Sequence, residues 1–194
     1  HRVCPPITVG TKSYLLLQSI ALDLASRWQI VGDNGLSHLV LPTFSPKILP
    51  PLDSEDIFKA IDTQDILLYH PFDSFDPVVK FISQAAADPD TLAIRMTLYR
   101  AGPNSPIVKA LIDAVRDGKQ VTVLVELKAR FDGEHNLRWA KLLEEVGAHV
   151  VSGITGLKVH ATLAQLLKRQ VQLLQSHVHL ATGNATPTTA NIYL

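Results

Sequence analysis

The sequence predicts an α/β fold, with a mixed, largely parallel sheet flanked by helices and preceded by a short irregular segment. Three observations predict it. From about Asp56 onward, apolar runs of strand length alternate three times with amphipathic stretches at helical spacing, as in successive βαβ units. Two of those amphipathic stretches open on a capping residue followed by proline: Ser74 or Asp76 before Pro77, and Ser105 before Pro106. Charged or nucleophilic residues, Arg100, Arg130 and His160, stand just beyond the ends of three apolar runs, where open α/β sheets collect their ligands.

The elements follow in chain order. In residues 1–50, Tyr14-Leu15-Leu16-Leu17 and Leu39-Val40-Leu41 have strand character, with a turn signal at Gly32-Asp33-Asn34-Gly35 between them. Pro42 to Pro51 holds four prolines in ten residues and reads as an extended connector. Residues 1–55 are therefore expected to be the remnant of a preceding domain plus a proline-rich link, with the main domain over 56–194. Asp56 to Ile61 suggests a short helix, and Asp65-Ile66-Leu67-Leu68-Tyr69 a short strand closed by His70-Pro71. Val78, Val79, Ile82 and Ala85/Ala86 form a helical stripe that Asp88-Pro89-Asp90 ends. Thr91 to Tyr99 alternates Ile94, Met96 and Leu98 against Arg95 and Thr97, as a strand does. Ile107, Val108, Leu111, Ile112 and Val115 make the next helix, stopped at Asp117-Gly118-Lys119. Val121 to Val125 is nearly all apolar, which predicts a strand covered on both faces. A third helix opens at Asp132 or Gly133, with Leu137, Ala140, Leu143 or Leu142, and Val146 inward, and Ala148 to Val151 is a further strand. Val159 to Leu167 and His177 to Ala181 read as an antiparallel pair joined by a polar, Gln-rich link.

Composition sets the bounds. The 194 residues suit one ordinary domain with an appendage, and the apolar content is that of a globular core. The 18 basic and 18 acidic residues cancel, so no net field draws the chain to nucleic acid or to a membrane surface. Cys4 is the only cysteine, which excludes an internal disulfide framework and makes a reducing, cytoplasmic setting the simplest expectation. No stretch reaches the roughly 18 apolar residues of a membrane span; Tyr14 to Ala25 is broken by Gln18, Ser19 and Asp23. The chain begins at His1, not Met, and stops directly after Tyr193, so it reads as a fragment.

The candidate chemistry is phosphoryl transfer. Arginine presents a planar fork of donors to phosphate oxygens, which suits Arg100 and Arg130. A neutral imidazole nitrogen can attack phosphorus and carry the group covalently, which suits His160. The bland readings are a surface ion pair for each arginine (Arg130 with Asp132 or Glu126) and a carbonyl-satisfied strand histidine for His160. Three such residues at successive strand ends favour the site. Ala181-Thr182-Gly183-Asn184 adds a small-residue turn whose backbone N–H groups suit an anion.

These residues carry a resemblance. Leu98-Tyr99-Arg100, Ser105-Pro106-Ile107-Val108, Gly118-Lys119-Gln120-Val121-Thr122, Val125-Glu126-Leu127-Lys128-Ala129-Arg130-Phe131-Asp132, Gly156-Leu157-Lys158-Val159-His160-Ala161 and Thr182-Gly183-Asn184 resemble the polyphosphate kinases of the long, phospholipase-D-like type. The likeness runs from about Asp56 to Tyr193 and covers the first of that family's two C-terminal phospholipase-D-like domains; residues 1–50 show no clear match. It implies reversible transfer of the terminal phosphate of ATP to polyphosphate with Mg²⁺, in an enzyme that is a homo-oligomer at full length. It places the phosphorylated histidine at His160 and phosphate contacts at Arg100 and Arg130. The two arginines fall on positions associated with Mg²⁺; a guanidinium has no lone pair for a metal, so both read as phosphate clamps beside the ion. A nucleotide contact falls on Tyr193. The sequence departs from the family at Thr162, where the pattern His-x-Lys has its lysine, and at Ala185-Thr186, where an aromatic residue and a second Asn follow Thr-Gly-Asn. Removing one charged donor beside a transferring phosphate commonly costs about 10²–10³ in rate. Two further readings compete: a truncated or inactive relative that only binds polyphosphate or nucleotide through Arg100, Arg130 and Lys158, and a phosphodiesterase of the wider phospholipase-D class. The latter needs the lysine that Thr162 replaces.

Overall fold

The computed structural model describes residues 7–9, 12–14, 44–127, 133–154, 156–157, 159–171, 173–182 and 186–190. The chain divides into two units, residues 1–44 and 45–194. In the first, strands β1 (Ile7–Val9) and β2 (Lys12–Tyr14) pair antiparallel, Ile7 opposite Tyr14. The strand expected at 14–17 meets β2 at Tyr14, and its residues 15–17, like the strand expected at 39–41, lie outside the described residues.

The second unit opens with a single 3-10 turn at Pro50–Leu52 and helix α1 (Ile57–Ile61), whose first N–H groups are capped when Asp56 Oδ1 accepts from Phe58 N at 3.0 Å. Helix α2 (Asp76–Ala87) starts where Ser74 Oγ accepts from Asp76 N, with Pro77 in its first turn. Strand β3 (Thr91–Leu98), helix α3 (Pro106–Arg116), strand β4 (Gln120–Val125), helix α4 (Gly133–Glu145) and strand β5 (His149–Ser152) follow as two βαβ units. Ser105 caps α3 through Val108 N, as its Ser-Pro start predicts. Strands β6 (Thr162–Gln170) and β7 (Leu173–Ala181) form a long antiparallel hairpin, and one turn of helix, α5 (Pro187–Ala190), follows.

The five strands lie in the order β5-β4-β3-β6-β7. β3, β4 and β5 run parallel, while β6 is antiparallel to β3 and β7 to β6, so the sheet is mixed. This polarity matters for function. Because β6 runs against β3, its amino end lies at the same edge as the carboxyl ends of β3, β4 and β5.

The core gathers on one face. Ile94, Met96 and Leu98 of β3, Val121, Val123 and Val125 of β4, and Ala164 and Leu166 of β6 are buried with Phe81, Ile82, Leu111 and Leu143 of the helices. Both crossovers step the same way along the sheet, β3 to β4 to β5, and right-handed connections then put α3 and α4 on the same side.

Four expectations change. β4 is buried on alternate residues, with Thr122 and Leu124 only half-covered, so its apolar run is not enclosed on both faces. Residues 65–69 form no strand: Leu67 is 87% exposed, and Tyr69 N donates to Asp73 Oδ2 in a local turn at 2.6 Å, while only Ile66 and Leu68 pack on the core. Leu137 is exposed, because the inward stripe of α4 is Asn136, Ala140 and Leu143. The Gln-rich link after Leu167 is itself strand, since β6 and β7 stay paired out to Gln170 and Leu173.

Candidate functional site

The site is built where three strands end. Tyr99 and Arg100 follow β3, Glu126 follows β4, and the loop 153–161 leads from β5 to β6. That loop is tied at both ends. Gly153 N donates to Val125 O at 3.0 Å, and Thr97 Oγ1 donates to Ala161 O at 2.7 Å while accepting from Leu163 N at 2.8 Å. Between them, Leu157 N donates to Ile154 O at 3.1 Å, with Gly156 at φ +80° in the third place of the turn. A positive φ there favours glycine, which is why this loop is Gly-rich at that point.

His160 is exposed at the mouth of this edge. Its imidazole lies against the Tyr99 ring, with centroids 4.6 Å apart and planes at 54°. The guanidinium carbon of Arg100 lies 5.2 Å from the centroid of the same ring. Tyr99 thus gathers an imidazole and a guanidinium at one edge, where the aromatic quadrupole attracts a cation and gives a ring a tilted partner. Of the residues singled out from sequence, the structure brings together Arg100 and His160. Arg130, Lys158 and Tyr193 lie outside the described residues. Thr182 is exposed at the end of β7, and the rest of its turn, 183–185, is also outside them.

Thr162 is turned inward. It is 2% exposed, on the helix-covered face with Ala164 and Leu166. The two-residue periodicity that would set it beside His160 does not reach back to 160, because β6 begins only at Thr162.

Two residues behind the edge carry no signal strong enough to be named as site residues from sequence. Asn136, 1% exposed, sends its side-chain amide from α4 to Tyr99 O at 2.7 Å and to Glu126 O at 2.9 Å, joining the ends of β3 and β4. Glu126, 2% exposed, accepts from Val159 N at 3.0 Å through Oε2. The polar residue in the inward stripe Asn136–Ala140–Leu143 was the available clue for the first. α4 begins tight against this region: a Cβ on Gly133 would meet Leu127 O at 3.2 Å. Trp139 Nε1 donates to Gly102 O at 2.7 Å and secures the loop after Arg100.

Among the described residues, no three His, Cys, Asp or Glu side chains gather to hold a metal ion, and Arg100 has no lone pair to offer one. The described donors therefore do not themselves fit a Mg²⁺ ion. A cavity of about 380 Å³, lined by Ile57, Phe81, His177 and His179 among others, shares no residue with the His160 edge.

The mixed five-stranded sheet with helices on its crossovers is a phospholipase-D-like fold. Residues 56–194 match the family model described as Polyphosphate kinase C-terminal domain 1, and the chain belongs to that family. A polyphosphate kinase of Campylobacter jejuni subsp. doylei is 56% identical over 176 residues, covering 90% of this chain and 25% of the relative. One of Helicobacter pylori strain J99 is 50% identical over 183 residues, 94% of this chain and 27% of the relative. The crystal structure of polyphosphate kinase from Porphyromonas gingivalis superposes with a TM-score of 0.68 at 38% identity, over 80% of this chain and 24% of that one. The chain thus spans about a quarter of the length of these relatives. With nine-tenths of the chain covered, the similarity also runs into the segment before residue 56, which corrects the sequence reading that residues 1–50 show no clear match.

Proposed function

We propose that this chain is the part of a polyphosphate kinase that forms a phosphohistidine at His160 during reversible phosphoryl transfer between ATP and polyphosphate. The observation that carries the reading is the pairing of His160 and Arg100 around Tyr99 at the carboxyl edge of the sheet. The steps balance without further reagents. The lone pair of an imidazole nitrogen forms a bond to the γ-phosphorus as the bond from that phosphorus to the β,γ-bridging oxygen breaks, and ADP leaves with the electron pair. A terminal oxygen of polyphosphate then attacks the phosphorus, the N–P bond breaks, the chain grows by one phosphate and the imidazole is restored. Arg100 neutralises charge on the equatorial oxygens, with Arg130 and Lys158 in the same role and Tyr193 on the nucleotide. Mg²⁺, when bound with the nucleotide, would neutralise phosphate charge as well.

In this reading residues 56–194 are the catalytic segment, 1–55 belong to a preceding domain and connector, and the substrates are ATP or ADP and polyphosphate. A cytoplasmic homo-oligomer, the family expectation, accompanies it; among the described residues, no helix is long and apolar enough to cross a membrane. Exchange of radiolabel between ADP and ATP in the absence of polyphosphate tests the reading, because a phosphoenzyme returns its phosphate to labelled ADP. Wild type should support exchange, and His160→Gln should abolish it while still binding ATP. Exchange that survives His160→Gln at the wild-type rate would remove His160 from the reaction.

A further inference from the structure

We propose that Glu126 is the positioning residue that sets His160 for phosphoryl transfer, acting through the backbone N–H of Val159; this rests on the reading of His160 above. Glu126 has little freedom of its own. Its N–H donates to Leu98 O at 2.9 Å and its C=O accepts from Asn136 Nδ2 at 2.9 Å, so its backbone is pinned to the ends of β3 and α4. Its side chain is 2% exposed, and a carboxyl group is among the costliest to bury unless it is hydrogen-bonded. From that pinned base, Oε2 reaches Val159 N at 3.0 Å, one residue before His160.

The loop needs this hold. Its other described backbone ties are at Gly153, at the Ile154–Leu157 turn and at Ala161, and the Glu126 contact at Val159 lies between the last two. A reacting nitrogen must sit about 3–3.5 Å from its target, and a displacement of 1 Å can cost 10²-fold. The positioning is assigned to the reach of Oε2 to Val159 N, with the carboxylate charge as the competing cause.

Two substitutions separate the two. Glu126→Gln keeps the length and an acceptor oxygen but removes the charge. Glu126→Asp keeps the charge but draws the oxygen back by about 1.5 Å, one C–C bond. Two readouts are taken on the same samples: hydrogen exchange of the Val159 amide, and the initial rate and half-saturating ATP concentration for phosphate transfer to His160. We expect Gln to keep amide protection and a rate within about threefold of wild type. We expect Asp to exchange at least tenfold faster and to transfer about 10²-fold more slowly, at unchanged half-saturating ATP. Asp equal to or better than Gln in both readouts would overturn the proposal. So would faster exchange without a slower transfer, which would leave Glu126 a merely structural tie. If the Asp variant does not fold, Gln decides alone, because a large loss there contradicts a role of reach. A wild type that takes no phosphate at His160 overturns the reading of function, and is told apart from failure of the Glu126 contact by the exchange data.

Discussion

At Thr162, where the resemblance implies a lysine, the hydroxyl side chain is buried on the helix face rather than open beside His160. Lysine there would have to carry its ammonium out to the sheet edge along a longer stem or bury it. We therefore expect Thr162→Lys to destabilise the fold by about 1–3 kcal/mol, read as a lower midpoint of thermal unfolding. An unchanged midpoint together with tighter polyphosphate binding would instead put residue 162 at the phosphate site. The residue scale also shows what sequence reading caught and missed. That Arg100 and His160 share one edge was legible because Arg100 stands just past the end of β3 and His160 just before the start of β6, and the position of a strand end is a local property. Glu126 and Asn136 were not, because their importance lies in contacts across ten and more residues, from a helix stripe to two strand ends and from a strand end to a loop.

At the scale of elements, β7 docks on α1 through Gln175 and His177. Asp62 Oδ1, at the end of α1, accepts from His177 Nε2 and Gln175 Nε2, each at 2.7 Å, and the rings of Phe58 and His177 lie 5.1 Å apart. His179, two residues on and on the same face of β7, is pushed down to about 4 by burial and secondarily by the nearby His70. In the unfolded chain its imidazole returns to about 6.5, so between these values the unfolded state binds more protons. His179 costs no stability above pH ~6.5, and stability is lost as pH falls from there toward 4, by about 3 kcal/mol in all. Replacing His179 with Phe should flatten the pH dependence of denaturant midpoints in this window. An equally steep fall in the variant would assign it to other groups. Two of the helices were readable because their starts are chemical: Asp56 and Ser105 each cap by accepting a backbone N–H, whereas α2 starts on Phe75 with no side-chain cap and Ser74 Oγ accepts Asp76 N just before it. The strand expected at residues 65–69 failed because apolar composition does not supply a pairing partner; its leucine and tyrosine face solvent while Ile66 and Leu68 alone reach the core.

For the whole molecule, the sheet explains why Arg100 and His160 share one edge. Two parallel crossovers deliver β3, β4 and β5 with their carboxyl ends together, and the reversed β6 returns the chain to that edge with His160 leading. The opposite face of the sheet carries Arg95, Leu163, Val178 and Leu180, all exposed, which is what misled the reading of β4 as covered on both sides: an apolar run reports hydrophobicity, not which neighbours exist to cover it. The central claim is that phosphate is carried on His160. The most direct measurement is to incubate the chain with γ-labelled ATP and Mg²⁺, then compare acid and alkaline treatment of the protein in wild type and His160→Gln. Wild type is expected to take label that is lost in acid and kept in base, as for a phosphoramidate, and His160→Gln none. Equal label on both, or label that survives acid, would contradict it.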